Sequence, residues 1–264
     1  MRIYLPPFSL RIPRNGPPGT GHDIEEHWML LEHTLHDIRR LKVRIVKPSH
    51  YNDLRNRRVG PLAQEYFKCF DDTRSIFVHI PKTGGISIVE SLYGTRAGGR
   101  HTTIQQYQIV FGAADFYDYF KFTFVRNPWD RIYSAYRYLR SGARGWQQDL
   151  DWVEKNLSGV KDFEHFVLTV LPLPEIRKFV HFRTQASFLR SPITGKIGVD
   201  FVGRFEQLGD DFETVARRIG KDASLSHVNK SKIAGSYRDA YSARMREIVG
   251  EIYADDNRLF DYKF

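Results

Sequence analysis

Apolar positions fall in short blocks along the chain, and the period of each block predicts an element. Residues 1–21 carry Pro6, Pro7, Pro13, Pro17, Pro18 and three glycines, a composition that opposes helix and predicts an extended arm or loops. From residue 22 to 42, Ile24, Trp28, Leu31, Leu35, Ile38 and Leu41 recur at three- and four-residue spacing, which predicts an amphipathic helix. His33 and His36 lie three apart on it; with no third ligand nearby they read as surface histidines rather than a metal site.

The run RSIFVHI at 74–80, between Asp71-Asp72 and Pro81, predicts a buried parallel strand. Two glycines follow, then Ile88, Val89, Leu92 and Tyr93 as the apolar face of a helix that Gly94 ends. KFTFV at 121–125 is a second strand candidate, with Asn127-Pro128 as cap and first turn of a helix that buries Ile132, Ala135, Tyr136 and Leu139. VDFVGRFE at 199–206 predicts a third strand. Asp210 and Glu213 then resemble a capping box ahead of Phe212, Val215, Ala216 and Ile219, and Gly220 closes that helix. A last helix is expected near 239–253, with the tail LFDYKF docked on the body. Alternating strands and helices make the fold α/β, with a mostly parallel sheet flanked by helices.

Composition narrows the function. The 264 residues are 41% hydrophobic and 14% aromatic, enough for a full core. Forty Lys and Arg against 31 Asp and Glu leave +9, which favours anionic partners. The basic residues are scattered, without a long basic tract or nucleic-acid motif, so nucleic acid is not the expected partner. Cys69 is the only cysteine, which excludes an intrachain disulfide and points to a reducing compartment. No apolar run approaches a membrane span or a signal peptide, and the expected location is cytoplasmic.

The chemistry centres on Lys82. A loop between a buried strand and a helix start lets backbone N–H groups and the helix dipole meet an anion, a cradle for phosphate or sulfate. The segment PKTGGIS departs from G-x-x-x-x-G-K-[ST], because the lysine precedes the glycine pair. That disfavours a nucleoside triphosphate with Mg²⁺.

FVHIPKTGGIS at 77–87 and FVRNPWDRIYSAY at 124–136 together resemble the carbohydrate sulfotransferases, the family of Golgi chondroitin, dermatan and heparan sulfotransferases and their bacterial relatives. The similarity continues through HTT at 101–103, DFVGRFE at 200–206 and HVNKS at 227–231. It spans roughly 74–264, so residues 1–70 read as an N-terminal extension and 71–264 as the sulfotransferase domain.

The resemblance implies a P-loop-like fold that takes 3′-phosphoadenosine 5′-phosphosulfate (PAPS) and passes its sulfuryl group to a hydroxyl of a carbohydrate or glycoconjugate without a metal. It also implies that Lys82, Thr83, Gly84, Gly85 and Ser87 hold the 5′-phosphosulfate, and that Arg126 and Ser134 grip the 3′-phosphate. Ile86 stands where many relatives carry Ser or Thr, which removes one hydroxyl contact. The lack of a membrane anchor and of further cysteines departs from the Golgi members and favours a bacterial-type enzyme.

In-line sulfuryl transfer puts growing negative charge on the oxygen that leaves with the phosphate, where Lys82 and the loop amides would meet it. A histidine suits the acceptor's proton. His101 is the first candidate, His227 the reserve, and His79 is read as structural. Ser134 is expected on a helix face with Arg131 and Tyr138, away from the apolar stripe; Arg204, Lys230 and Ser231 fall in segments that match the family and are candidates for cofactor or acceptor, unless Arg204 simply pairs with Glu206. Trp129, Tyr133, Tyr136, Tyr138, Trp146 and Trp152 are candidates for stacking on a sugar or for core. The rival readings are a P-loop phosphotransferase, separable by Mg²⁺ dependence, and a non-catalytic polyanion-binding protein.

Overall fold

A computed structural model describes residues 20–94, 100–225 and 236–264, with side chains from Glu25 onward. Of the Pro-rich arm expected at 1–21, residues 1–19 lie outside the described residues, as do His227, Lys230 and Ser231, and residues 20–21 begin a helix. Among those described, the sheet has three parallel strands in the order β1-β2-β3: β1 Ser75–Val78, β2 Phe120–Val125 and β3 Phe201–Arg204. Ser75 pairs with Phe120 and Phe122 with Phe201. Parallel pairing sets all three carboxyl ends on one edge, and the functional loops leave from that edge.

The strands are buried because both faces are covered, as the continuous apolar runs require. Phe77 stacks on Phe122 with centroids 5.0 Å apart. Next to them Phe124 lies so close to Gly203 that a Cβ there would come within 2.6 Å of its ring. Any side chain at 203 would push the strands apart.

Two long helices precede the sheet, α1 Thr20–Val46 and α2 Pro48–Val59. Helix α3 Gly85–Tyr93 follows β1, then come α4 Ile104–Val110 and α5 Ala113–Asp118. Helix α6 Pro128–Arg140 follows β2 and leads to α7 Gln147–Leu157. After β3 come α8 Leu208–Arg218, α9 Ala243–Ile252 and α10 Ala254–Phe260. A second apolar cluster, with Ile132, Leu139, Phe166, Phe182, Met245 and Tyr253, backs α6. Among the described residues no helix is long and apolar enough to cross a membrane.

Several expectations are corrected. Helix α8 begins at Leu208, so Asp210 lies inside its first turn and no capping box forms there; Asp211 instead accepts the Arg204 N–H at 2.7 Å. The last helical stretch starts at Ala243 and breaks at Tyr253.

Helix α1 is turned the other way from its apolar periodicity. Trp28, Leu31, Leu35, Ile38 and Leu41 are exposed, while His36 is 1% exposed. His33 stacks on Tyr117, so neither histidine is a free surface group. The cause lies at the end of α4, whose last carbonyls have no helical partner. The His36 Nε2 sits 3.0 Å from Phe111 O, and Arg40 Nε donates to Ile109 O at 3.0 Å. The polar stripe is drawn inward by those carbonyls, and the apolar one is left outside.

Candidate functional site

The turn from β1 into α3 bends through two left-handed residues, Lys82 at φ 71° and Gly84 at φ 84°. That conformation is costly for a lysine, and two bonds hold it. The buried Thr83 hydroxyl donates to Ile80 O at 2.9 Å, and Arg126 Nη1 donates to Lys82 O at 3.0 Å. Thr83 therefore turns its side chain inward, which leaves its backbone as the group that can face a ligand.

Gly84 caps α3 without a side-chain cap bond. The first N–H groups of a helix have no internal partner, so they and the positive end of the dipole remain available to an anion. Gly85 is dictated by sterics: a Cβ there would fall 1.9 Å from His79 Nε2. Ser87 is buried in the same first turn, and Ile86 is exposed.

Arg126 follows directly on β2. Its Nε and Nη2 grip the Asp130 carboxylate, each at 2.8 Å, and its guanidinium carbon lies 4.0 Å over the Phe205 ring. Of the five N–H groups a guanidinium carries, three are given to Asp130 and Lys82, which leaves one on each terminal nitrogen. Ser134 stands one turn beyond Asp130 on α6, half-buried on the same side of the helix. Arg131 does not share an open face with it: the guanidinium is fully buried and donates to the carbonyls of His181 and Arg183 at 3.2 and 2.6 Å.

The chain's end braces this corner. The buried Asp256 carboxylate accepts the Gln185 and Ala186 N–H groups at 2.7 and 2.8 Å. The Gln185 amide in turn bonds both backbone groups of Arg126, each at 2.9 Å. Glu206 accepts the Asn127 N–H at 2.7 Å and the Tyr262 hydroxyl at 2.9 Å, while Asn127 Nδ2 donates to Lys263 O at 2.8 Å. Arg204 donates to Phe260 O and covers the Tyr262 ring, so the expected Arg204–Glu206 pair does not form. The tail docks as expected, and both residues serve that docking.

The Lys82 ammonium sits 4.1 Å from the Tyr138 ring centroid. The Tyr138 hydroxyl donates to Asp149 at 2.9 Å, and His181 Nε2 lies 3.1 Å from the same carboxylate oxygen. His101 is close by, its ring centroid 4.5 Å from that of His79 and 6.0 Å from that of His181. His101 Nδ1 is 3.0 Å from His79 O; a carbonyl only accepts, so Nδ1 carries the proton and Nε2 keeps its lone pair.

These neighbours move the titrations. Burial, helped by Arg126 and Arg144 against the pull of Asp149, lowers Lys82 to about 8. Burial lowers His101 to about 4, although its bond to the His79 carbonyl works the other way. His79 falls well below its ordinary value, chiefly through burial and then the charges of His101 and His181. Burial alone would raise Asp149, but its bonds to His181 and Tyr138 hold it below the usual carboxylate range.

The sequence-marked residues Lys82, Gly84, Gly85, Arg126 and His101 thus meet at the carboxyl edge of the sheet. Asp149, His181, Gln185 and Asp256 join them without a sequence signal, because they come from separate elements and carry no spacing pattern. Of the aromatic candidates, Trp129 and Tyr136 are core, Trp152 stacks on Phe179 at 4.1 Å, and Trp146 is 59% exposed with Arg100 5.8 Å from its ring. Among the described residues no group of His, Cys, Asp or Glu could hold a metal ion. Burial pushes the Cys69 thiol up to about 12, which leaves it unreactive.

Comparison with known proteins adds one match. A family model described as the sulfotransferase family, whose fold is P-loop-like, covers residues 65–263. No curated protein and no solved structure matches the chain significantly.

Proposed function

The chain belongs to the sulfotransferase family, and on that premise we propose that it transfers the sulfuryl group of PAPS to a hydroxyl of a carbohydrate or glycoconjugate. The observation that carries the reading is the bond from Arg126 to the carbonyl of Lys82. It ties a cationic side chain at one strand's end to a strained, glycine-lined turn at the next, beside a helix start left uncapped.

That arrangement suits a donor with an anion at each end. Lys82, the N–H groups of residues 83–87 and the Ser87 side chain would hold the 5′-phosphosulfate. The two remaining Arg126 N–H groups, with Ser134 one turn past Asp130, would take the 3′-phosphate. The donor supplies the activated sulfuryl group and a phosphate leaving group; the protein supplies charge and position. Lys82 stabilises the oxygen on which charge grows. His101, its Nδ1 proton fixed by the His79 carbonyl, receives the acceptor's proton at Nε2.

The His181 ring, whose Nε2 lies 3.1 Å from an Asp149 carboxylate oxygen, is a second candidate to receive that proton. Comparing kcat for His101→Ala and His181→Ala at saturating donor separates them: the base's removal costs about 10²–10⁴, the other variant little.

A carbohydrate acceptor is supported by Trp146, an exposed indole with the Arg100 guanidinium 5.8 Å from its ring, which offers a stacking face beside a cationic donor. The lone cysteine and the absence of a membrane-crossing helix among described residues agree with a cytoplasmic setting.

Calorimetric titration with adenosine 3′,5′-bisphosphate, with and without Mg²⁺, followed by a radiolabelled sulfate screen across glycans, lipids and phenols, tests the reading. Tight binding indifferent to Mg²⁺ and labelling of a glycan are expected. Failure to bind the bisphosphate, or a requirement for ATP and Mg²⁺, overturns it.

A further inference from the structure

We propose that the outward face of α1 is a self-association surface on which a second copy of this chain docks antiparallel, forming a two-helix seam. The proposal concerns a surface outside the sulfuryl-transfer site and does not depend on that site's chemistry.

Among the described residues, nine apolar residues of α1 are exposed: a seam, which Met29, Leu30, Leu41 and Val46 flank and widen. Trp28, Leu31, Leu35, Ile38 and Ile45 are 55, 44, 42, 57 and 70% exposed. Their spacing of three, four, three and seven is the heptad pattern of a coiled coil, with Lys42 in the remaining core position. The inward face carries His33, His36 and Arg40, held by groups of α5 and of the α4 end, and Val43, packed on the core. Rolling α1 to hide the apolar stripe would therefore break those bonds. From Trp28 to Ile45 the stripe runs about 25 Å along the 27-residue helix, and a contiguous exposed apolar stripe of that length marks an interface.

Charge selects the occupant and its direction. Residues 25–32 carry Glu25, Glu26 and Glu32 and no Lys or Arg; residues 39–47 carry no acid, and with Arg39 and Arg40 bonded to the carbonyls of Gln105 and Ile109, their outward bases are Lys42, Arg44 and Lys47. Parallel pairing would set like charges side by side, whereas antiparallel pairing sets each acidic half against a basic half and opposes the helix dipoles. Antiparallel packing of alternate core positions gives Trp28 against Ile45 of the second copy, Leu31 against Lys42 and Leu35 against Ile38. Lys42, at its core position, then falls beside Glu32 of the other copy. An anionic lipid surface fits less well, since the three glutamates would face its headgroups.

Sedimentation velocity of the full chain should give twice the 30.9 kDa monomer mass at micromolar concentration. The double variant Leu35→Glu/Ile38→Glu should sediment as a monomer with an unchanged circular dichroism spectrum and transfer activity and a melting temperature that no longer depends on concentration, because these side chains meet solvent in the single chain. In a Cys69→Ser background, mixing Trp28→Cys with Ile45→Cys chains should yield the mixed disulfide.

A 28-to-28 disulfide would mean parallel pairing and overturn the proposal. So would a monomeric full chain. A chain that dimerises only when residues 1–19 are removed would assign the face to that segment. A monomer that floats with phosphatidylserine vesicles would assign it to a membrane.

Discussion

The ammonium of Lys82 rests 4.1 Å from the centroid of the Tyr138 ring, whose hydroxyl is bonded to Asp149. A cation over an aromatic face gains about 0.5–2 kcal/mol. Yet burial, with the charges of Arg126 and Arg144, lowers the Lys82 pKa to about 8 against the pull of Asp149. The lysine is held charged at a cost, and an incoming anion relieves it.

Lys82→Ala should lower kcat by about 10²–10³, the usual loss on removing one preorganised donor. Circular dichroism should stay near wild type and the melting temperature should not fall, because the Arg126 bond goes to the backbone carbonyl of residue 82 and the variant removes a charge held buried at a cost. Steady-state sulfuryl transfer checks the first expectation and thermal melts the second.

The same lysine sets the alkaline limb. Activity needs the ammonium, so kcat/KM should fall as pH rises through about 8. Stability should move oppositely: the folded group releases its proton before the unfolded one, whose pKa is near 10.5, so this residue's contribution to stability grows between about 8 and 10.5. Parallel pH series of kcat/KM and of urea midpoints test both signs; in Lys82→Met the increment should vanish.

On the acid side the buried imidazoles dominate. His101 is lowered from 6.5 to about 4, so the unfolded chain takes up a proton that the folded one refuses. Stability from this group is complete above 6.5 and is lost as pH drops toward 4, on the order of 3 kcal/mol in all. His79, lowered for the same reason, adds to the loss. Urea midpoints between pH 7 and 4 should fall steeply for wild type and less steeply for His101→Gln.

Gly85→Ala should destabilise the fold by about 1–3 kcal/mol, the usual cost of forcing a methyl into a filled space, because its Cβ would overlap His79 Nε2. Removing the ring should return much of that loss, so Gly85→Ala and His79→Ala are expected to be strongly coupled in a double-mutant cycle. Equal, additive losses in urea denaturation would contradict the contact.

Much of this could be read from the chain. The runs 74–80, 121–125 and 199–206 are too apolar for anything but strands covered on both faces, and the glycines after Lys82 announce a turn that no other residue tolerates. Lys82, Gly84 and Gly85 were marked by the strand–turn–helix pattern around them, and Arg126 and His101 by the resemblance of their stretches to the family; the structure brings the five to one edge of the sheet, and their roles there are the proposal.

What the sequence by itself determined is the local order: strand, left-handed turn and helix, with a cation at the end of each strand, since backbone sterics and apolar period act over a few residues. Only the tertiary structure decided which distant groups complete the site and which way α1 faces. Asp149 and His181 reach Lys82 from 67 and 99 positions away, and Asp256 acts on Arg126 through Gln185. The outward roll of α1 likewise depends on unpaired carbonyls at the end of another helix. Such partners are set by where the packed core brings backbone polar groups together, and no periodicity along the chain encodes that.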